Sequence, residues 1–152
     1  MTIAACLLTA EGIMLGADST STVPVQGPLG DWSYHHFSYA QKVFEFGEDS
    51  TLGIVTWGLG GVASISYRTM IAQLADEGLG EPFHSVRDAA ERWSRKFYDA
   101  YKMQFREVII RASDLAARET RKDEEESELQ ELRDEFSGGF CLSGYVTTDR
   151  CP

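Results

Sequence analysis

Cations are scarce in this chain: 14 Lys and Arg stand against 24 Asp and Glu, a formal net charge of −10 with histidine neutral. Phosphates would be repelled rather than neutralised, so nucleic acid and anionic membranes are excluded as partners on electrostatic grounds. Long apolar runs are missing too. No stretch approaches the ~18 residues needed to cross a bilayer, and no positive region followed by an apolar segment marks a secretory signal. A cytoplasmic protein is the simplest expectation. Cysteine is equally sparse: Cys6, Cys141 and Cys151 are odd in number and spaced unlike any zinc pattern. That excludes a disulfide framework and leaves thiols in a reducing compartment, with Cys141 and Cys151 the pairing considered for an oxidised chain. The Gly-Lys-Ser/Thr of a phosphate loop is absent, so the glycine-rich segment Gly58-Leu59-Gly60-Gly61 does not read as a nucleotide site.

What is present is enough apolar material for a core, 43% of 152 residues with 11% aromatic, and a length suited to one domain over residues 1–152. Residues 2–8 and 13–17 are short apolar runs separated by Thr9-Ala10-Glu11-Gly12, which predicts a hairpin. Residues 19–39 carry Ser, Thr, Pro and Gly with little periodicity and read as a long loop at a sheet rim. Val43-Phe44-Glu45-Phe46, a turn at Gly47-Glu48-Asp49-Ser50 and residues 51–57 predict a second hairpin. Helical spacing follows over residues 62–77, with Gly78 and Gly80 as the stop. Ser85, three residues before Asp88, predicts the N-cap of a long helix that carries Val86, Ala90, Trp93, Phe97, Ala100 and Tyr101 on one face. That aromatic stripe reads as core or subunit contact. Residues 118–135, with Asp123-Glu124-Glu125-Glu126-Ser127-Glu128, read as a solvated helical extension or a mobile loop. Ser137-Gly138-Gly139 breaks the pattern, and residues 140–147 predict a last strand. The fold class is α+β.

Thr2 stands directly behind Met1 at the start of the first apolar run. Loss of Met1 would leave its hydroxyl beside its own α-amine, a base titrating near ~7.7–8.0 and well matched to neutral catalysis. One residue would then supply nucleophile and base. Three further residues fit that chemistry. Lys42 near the amine would disfavour a second positive charge and keep the amine neutral, and Asp18 would hold the lysine charged and oriented. Gly58 would offer its backbone N–H to a developing oxyanion. Taken singly, Asp18 also reads as a strand-ending turn residue and Lys42 as a solvated edge lysine. His35 and His36 lie near Asp31 without a third ligand and read as exposed loop residues rather than a metal site.

The segments Thr2-Ile3-Ala4, Gly12-Ile13-Met14-Leu15-Gly16-Ala17-Asp18-Ser19, Lys42-Val43-Phe44-Glu45-Phe46, Gly58-Leu59-Gly60-Gly61-Val62-Ala63 and Gly144-Tyr145 together resemble the proteasome β-subunit family of N-terminal-nucleophile hydrolases, including its bacterial HslV-type and ancestral-β-type members. The resemblance spans almost the whole chain. It implies a four-layer α/β/β/α sandwich of antiparallel sheets, here incomplete, because the family's sequence continues past the strand with Gly144-Tyr145. It also implies a threonine peptidase in a homo-oligomeric ring, with Thr2, Asp18, Lys42 and Gly58 as catalytic residues, no cofactor or metal, a polypeptide substrate and an ATP-dependent unfoldase as a possible partner. Two other readings share the fold: a non-catalytic ring subunit that keeps Met1, and an amidase acting on a small amide. Val146 stands where many relatives carry aspartate, and the segments between Asp18 and Lys42 and around residues 118–135 are longer than usual.

Overall fold

A computed structural model of the chain describes residues 3–28, 30–48, 50–62 and 64–146. The protein is mixed α+β, with antiparallel strands in four small sheets and four helices among the described residues. Strands β1 (Ala4–Leu8) and β2 (Ile13–Ala17) form the expected N-terminal hairpin, Ala4 opposite Ala17 and Leu8 opposite Ile13. Its turn is closed from the Thr9 side: the Thr9 N–H donates to the Gly12 carbonyl at 2.9 Å, and the Gly12 N–H to Thr9 Oγ1 at 3.2 Å. A short hydroxyl side chain thus replaces the second half of a backbone turn.

Residues 19–39 are not the loop that their composition suggests. They fold into a second hairpin, β3 (Ser21–Gln26) and β4 (Trp32–Phe37), in continuous register from Ser21 opposite Phe37 to Gln26 opposite Trp32. The ribbon has two strands only, so Pro24, which has no N–H to give, costs it no ladder bond to a third strand.

Strands β5 (Val43–Glu45), β6 (Leu52–Gly58) and β9 (Gly138–Gly144) make the central sheet, with β6 in the middle. β9 pairs along the full length of β6, from Leu52 opposite Gly144 to Gly58 opposite Gly138. The two faces of this sheet have different neighbours. Phe44, Leu52, Ile54, Phe140 and Leu142 belong to a hydrophobic cluster with Met70, Ile71, Leu74 and Trp93 from the helices. Residues one position away along β6 face the other way. On that side Leu15 of β2 lies against Gly53, its Cδ1 3.0 Å from where a Cβ would stand, so the N-terminal hairpin covers this face.

The helical prediction over residues 62–77 is displaced. A tight pair of two-residue strands, β7 (Gly61–Val62) and β8 (Ile65–Ser66), comes first, and α1 occupies Tyr67–Gly80. Ser66 caps it by accepting from the Thr69 N–H at 3.2 Å, a stronger start signal than the apolar spacing upstream. Gly80 is the last residue of α1, as expected, whereas Gly78 lies inside the helix, with the Phe83 ring folded back onto its bare Cα where a side chain would collide. Helix α2 (Val86–Gln104) starts at Ser85 as the sequence predicts, with the Asp88 N–H donating to Ser85 Oγ at 3.0 Å. Its Trp93 and Phe97 meet Phe140 with ring centroids 5.2 and 4.6 Å apart, in edge-on geometries that favour aromatic pairs. Helix α3 (Arg106–Ala116) follows a break at Phe105, and α4 (Asp123–Glu135) packs on α3. No helix among the described residues is long and apolar enough to cross a membrane.

Candidate functional site

Asp18 follows β2 directly, and Lys42 precedes β5, so two hairpin ends deliver their charges to one place. Lys42 Nζ donates to Asp18 Oδ1 at 3.1 Å and Oδ2 at 3.2 Å, and to the Thr20 carbonyl at 2.6 Å. The Lys42 side chain is 11% exposed and that of Asp18 26%, so the pair is shielded without being cut off from solvent. The Ile3 N–H donates to the same Oδ1 of Asp18 at 2.8 Å, while the Asp18 N–H returns to the Ile3 carbonyl at 3.0 Å. The Thr20 N–H donates to Oδ2 at 3.2 Å. This set of donors lowers the Asp18 pKa: the Ile3 amide has the largest effect, then the Lys42 ammonium, and both outweigh the opposing cost of desolvation. The carboxylate is therefore ionised at neutral pH and fixes both the first strand and the lysine.

Gly58 closes β6 with φ +79°, a left-handed conformation natural to glycine, and an added Cβ would strike the Ser137 carbonyl. In the ladder the Thr56 N–H donates to the Lys42 carbonyl at 2.8 Å, and N–H groups two residues apart along a strand point the same way. The Gly58 N–H is thereby directed past the start of β5, toward the side where Lys42 lies. A cleft of about 710 Å³ opens there, lined among others by Lys42, Gly58, Thr22, Val23, Trp57 and Tyr67. The Trp57 indole lies over Gly139, whose missing side chain makes room for it, and is partly exposed at 38%.

Of the four residues predicted for the site, Asp18 and Lys42 are in direct contact and Gly58 lines the cleft beside Lys42. Thr2 lies outside the described residues. Sequence reasoning missed Thr20, whose carbonyl accepts from Lys42 Nζ at 2.6 Å; a backbone acceptor has no signature in residue type. It also missed Tyr67, whose hydroxyl is buried with no hydrogen-bond partner and whose pKa is pushed well up by burial. Tyr67 was legible only as an apolar helix position. His35 and His36 lie within β4 rather than a loop, and His36 Nδ1 lies 3.0 Å from Thr22 Oγ1.

The cluster can hold a buried-side cation beside the first strand and present a backbone donor over an open cleft. No protein-family model matches the chain, and neither a curated protein nor a solved structure is significantly similar to it.

Proposed function

We propose that the protein is a threonine-type peptidase subunit of the N-terminal-nucleophile class, acting on polypeptides within a ring of its own copies. The observation that carries this reading is that one oxygen atom, Asp18 Oδ1, accepts both from the Ile3 N–H at 2.8 Å and from Lys42 Nζ at 3.1 Å. Thr2 is the residue whose carbonyl carbon is bonded to that Ile3 nitrogen. With Met1 removed, the Thr2 α-amine accepts the hydroxyl proton, and the oxygen attacks the scissile carbonyl. The tetrahedral oxyanion takes a hydrogen bond from the Gly58 N–H, a contribution of roughly 2.7–4 kcal/mol in sites of this kind. The amine then passes its proton to the leaving amine, and water hydrolyses the acyl-threonine ester. Lys42 acts by position: its charge, held by Asp18 and the Thr20 carbonyl, keeps the Thr2 amine from protonating.

The hairpin β1–β2 laid on the sheet β5–β6–β9, with helices α1 and α2 on the far side, agrees with three successive layers of an α/β/β/α sandwich. The open cleft suits an extended chain better than a small enclosed amide. The test is peptide hydrolysis by the full chain and by Thr2→Ala, with intact mass recorded for both. Loss of Met1 in the parent protein, together with turnover that falls at least ~1000-fold in Thr2→Ala, is expected. Retained Met1, or undiminished turnover in the variant, overturns the mechanism, and retained Met1 would favour a non-catalytic ring subunit.

A further inference from the structure

In antiparallel pairs, residues directly opposite each other share a face of the sheet. Cys6 of β1 stands opposite Leu15, and Leu15 is the residue that lies on Gly53 of the central sheet. Cys6 therefore belongs to the inner face of the hairpin. Val55, two residues from Gly53, shares its face, and Cys141 stands opposite Val55 in β9. Both side chains thus project from the facing surfaces of the hairpin and the central sheet, and the Cys6 thiol is near enough to raise the Cys141 pKa. Both are free. The other pairing weighed from the sequence, Cys141 with Cys151, involves a residue that lies outside the described residues.

We propose that Cys6 and Cys141 form a reversible redox site, a disulfide that staples the first strand to the central sheet when a low-molecular-weight disulfide is in excess. Cys6 is exposed, whereas burial and the neighbouring Cys6 thiol raise the Cys141 pKa, so the sulfur of Cys6 reacts first. The Cys6 thiolate attacks the small disulfide, forming a mixed disulfide and releasing one small thiolate. The Cys141 thiolate then attacks Cys6 Sγ, forming the Cys6–Cys141 bond and displacing the second. Two electrons and two protons pass from the protein thiols to the oxidant, which leaves as two thiols. Excess reduced thiol reverses both steps. The bond ties residue 6 to residue 141 and restrains most of the chain in the unfolded state. It does not depend on Thr2 being a nucleophile.

The experiment equilibrates the full chain in glutathione buffers of graded oxidised-to-reduced ratio, quenches with acid and maps peptides without reduction. A linked peptide containing Cys6 and Cys141 is expected, equally abundant in Cys151→Ser and absent from Cys6→Ser and Cys141→Ser. In the oxidised parent protein, amide exchange in β1 and β2 slows by about tenfold or more, because local opening of the hairpin must now carry the central strand with it. A map showing only glutathionylated Cys6, or linkage through Cys151, overturns the proposal. So does oxidation that leaves β1 exchange unchanged. The parent peptide map decides the pairing even if a cysteine variant fails to fold.

Discussion

Asp18 holds three partners with one carboxylate, and its protonation state sets how firmly the first strand and Lys42 are held. Its pKa lies below the unfolded value of about 3.9, so its contribution to stability is complete above that value and is lost as pH falls through the folded pKa. Asp88 and Glu125 are shifted the same way by the His84 and Lys122 amides and by arginines, and Glu128 by the Arg111 guanidinium. Urea unfolding at pH 7 and at pH 3 should therefore show the protein weaker in acid. In Asp18→Asn the difference between the two pH values should shrink, because the variant has no charge left to lose there. An unchanged difference would assign the acid sensitivity to the other three carboxylates. Gly58 supplies a residue-scale prediction independent of charge. Gly58→Ala must adopt φ near +79° and displace the Ser137 carbonyl, so it should destabilise by about 1–3 kcal/mol in the same urea assay. A neutral result would mean that the β6 end relaxes freely.

Among the elements, α4 is the one whose sequence left two possibilities, a solvated helix or a mobile loop. It is a helix with one buried anchor. Leu129 is 1% exposed, while Arg111 reaches across from α3 to Glu128 and Arg118 and Arg121 pair with Glu125 and Glu126. The acidic run is therefore a paired helix face, and its residues 123–126 also lie in the first turn, where carboxylates suit the helix dipole. Leu129→Ala should cost about 2–5 kcal/mol, as truncation of a filled core position does, with exchange rising first in α3 and α4. A cost near zero would leave α4 held by surface charge alone. The legible parts of this fold are those with local rules: the hairpin at Thr9 to Gly12, the Ser85 cap and the apolar alternation of β5 and β6. The hairpin β3–β4 escaped because Pro24 and the turn-forming Gly27 and Pro28 outweighed a weak alternation, and its pairing is decided by register with a strand that gives no stronger signal. Helix α1 starts later than expected because Val62 and Ile65 fit the apolar helical spacing while the backbone uses them in two two-residue strands. At the site, residue types marked Asp18, Lys42 and Gly58, but the Thr20 carbonyl and the shared use of one carboxylate oxygen are matters of chain path.

At the scale of the molecule, apolar surface is distributed unevenly around the two sheets. Through Leu15 the inner face of β1–β2 meets the central sheet, whereas the outer face carries Leu7 opposite Met14, 56% and 67% exposed, with Ala5 opposite Gly16 beside them. No described element covers it. A contiguous apolar face of this kind marks an interaction surface or an association liability. In dilute buffer the native protein should either enhance the emission of an apolar dye such as anilinonaphthalene sulfonate or self-associate by light scattering. The double variant Leu7→Ser, Met14→Ser should reduce whichever of the two is seen. Because these side chains contribute little to the core, its Tm should stay within a few degrees of the parent value. Should the variant leave both dye emission and particle mass where they were, the outer face of the N-terminal hairpin would not be what the molecule exposes. A large fall in Tm would instead mean that Leu7 and Met14 are packed in solution, and that the first hairpin is covered on both sides.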